Sequence, residues 1–184
     1  IYLGLAKDPR IFYFAYLTHW TLVFSTLYFV MSLFNSMLPI SQPLSGHTIV
    51  SRRAKLTWAL LEIAANLGVV VTVTYWLMLF DGEMIVRAVL GHGVVAVLVV
   101  VDGLVLNTIP IRLRHWSEFV LPVALAYILW TLLHSGLVFG IGNPDNEDED
   151  TETNDDLIYS ILDWEGDPGQ TVVTALLIVF GVSP

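Results

Sequence analysis

The chain has no cysteine among its 184 residues. That excludes thiol nucleophiles, disulfides and thiolate metal sites, and it leaves the compartment open. Charge is scarce as well: Asp, Glu, Lys and Arg together make up 14% of the residues, against roughly a quarter in an ordinary soluble domain. Most of the acidic charge is also in one place. Eleven of the 17 acidic residues lie between Asp145 and Asp167, so the net charge of −9 belongs to a single segment. The rest of the chain carries eight basic and six acidic residues. A soluble globular domain, a nucleic-acid binder and a disulfide-stapled secreted module are all excluded.

What takes the place of charge is apolar: 55% of the residues are hydrophobic, six of them Trp. The hydrophobic runs predict membrane helices over about 11–34, 57–80, 88–109 and 119–139, and a shorter one over 171–182. Twenty or so residues at ~1.5 Å each cross the ~30 Å hydrocarbon layer. They must be helical, because lipid offers no partner to an unpaired peptide group. The expected fold is an all-α polytopic transmembrane helix bundle, four full spans plus a truncated fifth, forming a single domain over 1–184. With Ile1 at one end and a short last run at the other, the chain reads as a fragment lacking a helix at each end. The acidic segment 140–170 is expected to be a solvated, flexible loop. It lacks the alternating carboxylates and glycine of a calcium loop.

Orientation follows from Lys and Arg near the span ends. Lys7, Arg10 and Arg87 fall on one side of the membrane, and Arg52, Arg53, Lys55, Arg112 and Arg114 on the other. The second side is the cytoplasmic candidate, which puts the acidic loop on the non-cytoplasmic face of a plasma or internal membrane. Trp20, Trp58, Trp76, Trp116 and Trp164, near span ends, read as interfacial anchors, and His115 as an interfacial histidine.

Polar residues inside spans are costly and become functional hypotheses by default. Counting residues from span ends places Thr18, His92 and His134 at one depth, ~6–10 Å from the side of the acidic loop. Thr18, Thr21, Ser25, Tyr28 and Ser32 form one stripe at helical spacing, and Tyr127, Thr131 and His134 another. Both stripes should face inward, and most of their hydroxyls should bond to backbone or hold helices together. Glu62, Asn66 and Asp102 make a second layer near the opposite side. Asp102 is expected to pair with Glu62, one of the two being protonated, or with Arg112 or Arg114. Only two histidines share a layer, too few for a catalytic zinc. No metal or other cofactor is expected.

Tyr16-Leu17-Thr18-His19-Trp20 resembles the Y-L-T-x-W of rolling stone-like membrane proteins. His92-Gly93 through Asp102, followed by Pro110-Ile111-Arg112 and His115, is similar to the same family, as is Tyr159-Ser160-Ile161-Leu162-Asp163-Trp164. The likeness runs from about Phe12 to Thr171. The related androgen-induced family of threonine hydrolases, which act on fatty acid esters of hydroxy fatty acids, shares Leu17-Thr18, Phe80-Asp81-Gly82-Glu83-Met84-Ile85, His92-Gly93 and Tyr127-Ile128-Leu129-Trp130. By that resemblance Thr18 would be a nucleophile. The hydrolases' catalytic histidine would fall at residue 95, which here is Val95. Rolling stone-like proteins lack that histidine too. Their association is with membrane roles in cell fusion, without an established chemistry.

Two main readings follow. One is a non-catalytic multi-pass membrane protein with a fusion or scaffold role. The other is an intramembrane lipid esterase with Thr18 activated by His92 or His134. A transporter using Glu62 and Asp102 is a third, without the repeat symmetry or broken helices of that class. Membrane lipids are the expected partners, with a lipid ester as substrate if the chain is an enzyme. Protein partners are left open.

Overall fold

A computed structural model of the chain describes residues 13–38, 51–80, 82, 86–109, 113–135, 137–138 and 158–182. Among these residues every regular element is helical and no strand occurs. Helix α1 is Leu17–Met37. Helix α2 is Arg52–Thr74, prolonged by a π-helical turn at Tyr75–Leu79. Helix α3 alternates between α-helical Val86–Val89, π-helical Leu90–Val94, α-helical Val95–Val100 and π-helical Val101–Leu106. Helix α4 starts at Leu113–His115, passes through a π turn at Trp116–Val120 and continues as Leu121–His134. Helix α5 is Pro168–Leu176 with a π-helical end, Leu177–Val182.

Each of the five expected spans contains helix, although 14–16, 107–109, 135 and 137–138 are turns, bends or irregular backbone. Three of them, Leu17–Met37, Arg52–Leu79 and Leu113–His134, are long and apolar enough to cross a membrane. The apolar parts of α3 and α5, Leu90–Leu106 and Pro168–Phe180, are shorter. Lys7, Arg10, Arg112 and residues 140–157 of the acidic loop lie outside the described residues.

Helix starts are set by capping more than by hydropathy. The Ser51 hydroxyl accepts from Ala54 N at 3.2 Å, so α2 begins with the charged turn Arg52-Arg53-Ala54-Lys55, ahead of the apolar run. Asp167 accepts from Gln170 N at 2.9 Å and Pro168 takes the first helical position, which starts α5 before Thr171. Helix α1 goes the other way. It begins at Leu17 rather than at Ile11, and residues 13–16 are not continuous helix.

The helices divide into two compact units. One joins the described residues up to Trp20 with those from Leu121 onward, and the other is Thr21–Val120. In the Thr21–Val120 unit α2 is the central element: 61% of its apolar window is buried, against 22% for α1 and 17% for α4. Tyr28, Leu60, Leu61, Ala64 and Val99 form the core of this unit, with Phe24 and Val95 packed on it. Gly68 lets α2 approach α3, since a Cβ there would lie 3.0 Å from the Ala96 Cβ. Val97, Leu98 and Val105 on α3 point outward. In water they would be an uncovered apolar patch, and in a bilayer they face lipid. In the other unit Ala15 packs with Ile158. There Tyr127, Thr131 and His134 are the buried residues of α4, and Thr171, Thr174 and Ala175 those of α5.

Candidate functional site

The entry to α1 is an irregular backbone, and its carbonyls have unusual partners. The His19 imidazole nitrogen Nδ1 meets the Tyr13 carbonyl, and its ring stacks on the Tyr13 ring. Trp20 Nε1 donates to the Phe14 carbonyl at 2.8 Å, and the Tyr127 hydroxyl donates to the Ala15 carbonyl at 2.8 Å. Three successive carbonyls are therefore each matched by an aromatic side chain. The fourth, Tyr16, accepts from His19 N at 3.1 Å, closing the first turn. A non-helical run at the edge of an apolar layer has no water to rely on, so partners of this kind are what let it persist.

The first amides of the helix are handled by a second tyrosine. Leu17 N–H donates to the Tyr159 hydroxyl at 3.2 Å. The Thr18 hydroxyl and the Tyr127 phenol are also within hydrogen-bonding reach of Tyr159. Burial pushes the Tyr159 phenol up to about 12.

Residues 158–167, expected to be part of a flexible acidic loop, are instead folded. The Leu162 amide bonds the Tyr159 carbonyl at 2.9 Å. Asp163 Oδ1 accepts from the amides of Glu165 and Gly166 at 3.1 and 2.7 Å. A side chain at Gly166 would run into the Asp163 carboxylate. Thr171 Oγ1 returns to the Asp163 carbonyl at 2.7 Å, and Trp164 Nε1 donates to Thr131 Oγ1 at 3.1 Å. Trp164 is thus a bonded part of this unit and more than an interfacial anchor. The signal for this turn was present in Asp167-Pro168, an N-cap followed by proline, and was hidden by the acidic composition around it.

The three candidate catalytic residues sit in different settings. Thr18 is the second residue of α1, in its first turn, because the helix starts six residues later than expected. His134 is the last residue of α4, fully buried and edge-on to Trp130. His92 belongs to the Thr21–Val120 unit, in the π turn of α3. Its ring stacks on Tyr75 with centroids 3.8 Å apart, and its carbonyl accepts from Trp76 Nε1 at 3.0 Å. The middle of the first stripe and the whole of the second point inward: Thr21, Ser25 and Tyr28 are buried, as are Tyr127, Thr131 and His134, while Thr18 and Ser32 are half-buried. Thr131 also bonds back to the Ile128 carbonyl at 2.8 Å, whereas the buried Ser25 hydroxyl has no partner among the described residues.

The second polar layer is formed, and its described partners include groups that the charge pattern did not point to. Glu62 is buried, and its Oε1 lies 3.2 Å from His115 Nδ1. Asn66 Nδ2 donates to the Glu62 carbonyl at 2.8 Å. Asp102 accepts from the Tyr28 hydroxyl at 2.7 Å and from Asn107 Nδ2 at 3.1 Å. Arg114, one of the partners expected for Asp102, pairs with Glu118 one turn along its own helix at 2.6 Å, at the surface. The phenol of Tyr28 and the imidazole of His115 are thus partners of this layer, and Arg112, the other arginine expected near Asp102, lies outside the described residues. Among the described residues no three His, Asp or Glu side chains gather as a metal site.

The protein rolling stone family profile matches residues 11–182, nearly the whole chain. The chain belongs to the rolling stone family. Neither a characterised protein nor a solved structure matches it. Family membership and the three long apolar helices together make it an integral membrane protein. The short rolling stone-like motifs now have a physical meaning. Tyr16 to Trp20 and Tyr159 to Trp164 are the two segments that hold the entry of α1 together. Val95, at the position of the hydrolases' histidine, packs against the apolar core of its unit.

Proposed function

We propose that this rolling stone-family chain is a non-catalytic membrane scaffold or fusion component, crossing the bilayer four times with part of a fifth crossing. In this reading its intramembrane polar groups serve backbone and helix contacts. The observation that supports it best is the entry to α1, where Tyr13, Phe14 and Ala15 carbonyls meet His19, Trp20 and Tyr127. The distribution of Lys and Arg favours the acidic segment on the non-cytoplasmic side. Membrane lipids are its partners.

The alternative is threonine-dependent hydrolysis of fatty acid esters of hydroxy fatty acids. It draws support from the Leu17-Thr18 and His92-Gly93 likeness, but the chemistry around Thr18 argues against it. A nucleophilic hydroxyl needs a base, and Tyr159, which the Thr18 hydroxyl reaches, is a phenol that keeps its proton up to about 12. His134, with no exposed surface, is closed to substrate. The test is release of fatty acid from such an ester by the chain reconstituted in liposomes, with Thr18→Ala as control. The scaffold reading expects no release above protein-free liposomes. Release that disappears in Thr18→Ala would establish the hydrolase.

A further inference from the structure

We propose that Arg52, Arg53 and Lys55 form a binding site for the headgroup phosphate of an anionic phospholipid, where α2 enters the membrane. The three cations stand in the first turn of a helix that, to Leu79, is long and apolar enough to cross a bilayer. All three are exposed, and so is Leu56 beside them, at 50%. Residues three and four apart share a helix face, so Arg52, Lys55 and Leu56 look the same way. Along that face cations give way to an alkyl side chain, in the order in which a lipid's phosphate gives way to its acyl chains.

The chain itself offers this charge no counterpart. No Asp or Glu occurs between Arg10 and Leu61, and the first turn of α2 contains none. Among the described residues none of the three cations has an ion pair. The acids that follow are placed elsewhere: Glu62 is buried, and Glu118 holds Arg114 at 2.6 Å. Positive charge at a helix start is also opposed by the macrodipole, and Arg52 repels Lys55 across one turn.

The turn is nevertheless firmly held. Ser51 caps it through Ala54 N, and Lys55 N–H donates to the Ser51 carbonyl at 3.1 Å. The Thr57 hydroxyl donates to the Arg53 carbonyl at 3.0 Å and accepts from Asn35 Nδ2 of α1 at 2.6 Å. An ordered turn of unmatched cations at a membrane face is completed by an anion from outside the chain. The ligating groups are the three side chains, since Ser51 already serves an amide of that turn. A lipid supplies both the phosphate and the acyl chains that lie along Leu56. Anionic lipid is concentrated in the cytoplasmic leaflet, the side that the Lys and Arg distribution favours for the start of α2. The proposal deepens the reading of membrane lipids as partners by naming their class and place. It rests on α2 bordering lipid, in a scaffold and in a hydrolase alike.

Without native cysteine, single labels can be placed at will. A fluorophore on Leu56→Cys reports the lipid beside the site, and one on Leu98→Cys, exposed on α3, reports lipid elsewhere. The full chain is placed in nanodiscs, and quenching is compared for phosphatidylglycerol and phosphatidylcholine bearing the same nitroxide-labelled acyl chain. The attraction of one cation to an anionic membrane surface corresponds to about fivefold. Phosphatidylglycerol should therefore be preferred by at least that factor at residue 56, with no such preference at residue 98. Raising the salt should weaken the preference. Arg52→Gln, Arg53→Gln and Lys55→Gln together should abolish it, whereas Arg52→Lys with Arg53→Lys should keep it. The proposal is overturned if both lipids quench residue 56 equally in the parent. It is also overturned if the triple variant keeps the preference with its helix content unchanged, or if inorganic phosphate abolishes it, which would make a free anion the occupant. Quenching by neither lipid at both residues would overturn it together with the membrane reading on which it rests.

Discussion

Replacing Gly103 by alanine sets two effects against each other. Alanine in a helix is favoured over glycine by about 1 kcal/mol. The new Cβ, however, would overlap Leu61 Cδ1 and lie 2.6 Å from Cδ2 and 3.0 Å from Cγ. Leu61 is 1% exposed and belongs to the core with Tyr28, Ala64 and Val99, so its whole side chain would have to find another rotamer. Overpacking of this sort costs roughly 1–3 kcal/mol. The clash involves three atoms of a branched side chain, which favours the upper half of that range, and the net result should be a loss of about 1–2 kcal/mol. Trimming the obstacle tests the cause. Gly103→Ala combined with Leu61→Val should be less destabilised than the two single changes added together, by about 1 kcal/mol. Denaturant titration in mixed micelles, followed by tryptophan fluorescence, gives the four stabilities. If Gly103→Ala is as stable as the parent, or the two changes simply add, the packing of α2 on α3 is not as described.

The Tyr159 phenol, pushed by burial from 10.0 to about 12, keeps its proton in the fold while the unfolded chain loses it. Its contribution is therefore complete below about pH 10 and lost as pH rises through 12, roughly 3 kcal/mol in all, and Tyr159→Phe should lose less stability than the parent at alkaline pH, by about that amount. Val95→His places a polar ring against the core around Tyr28 and Val99. It should lower stability by about 1–3 kcal/mol and yield no ester hydrolysis, which a turnover assay beside the denaturation curve checks together. Trp164→Phe removes the 3.1 Å bond to Thr131 Oγ1. It should cost about 1 kcal/mol and raise amide exchange across 159–166, read by mass spectrometry.

The five apolar segments were legible from hydropathy alone, because the bilayer forces apolar runs to be helical. So was the inward face of α4, where Tyr127, Thr131 and His134 are the buried residues and recur at helical spacing. The depth of Thr18 was not. Residues 13–16 are as apolar as a helix, and nothing local in them says that their carbonyls are bound by His19, Trp20 and Tyr127. Partner choice in the second layer was missed for a similar reason. Charge rules look for Arg114 or a carboxylate opposite Asp102, whereas the structure supplies the phenol of Tyr28 from a helix 74 residues away in sequence. The π turns in α2, α3 and α4 add a further difficulty, since each rotates the following face by about 100° relative to a regular helix.

The threonine of the Tyr-Leu-Thr motif is, above all, a structural partner of Tyr159. A double-mutant cycle of Thr18→Val and Tyr159→Phe, read as unfolding free energy, tests it most directly. A coupling of about 0.5–1.5 kcal/mol is predicted, as for one buried hydrogen bond. A coupling of zero would contradict the claim and return Thr18 to the list of groups whose role is chemical.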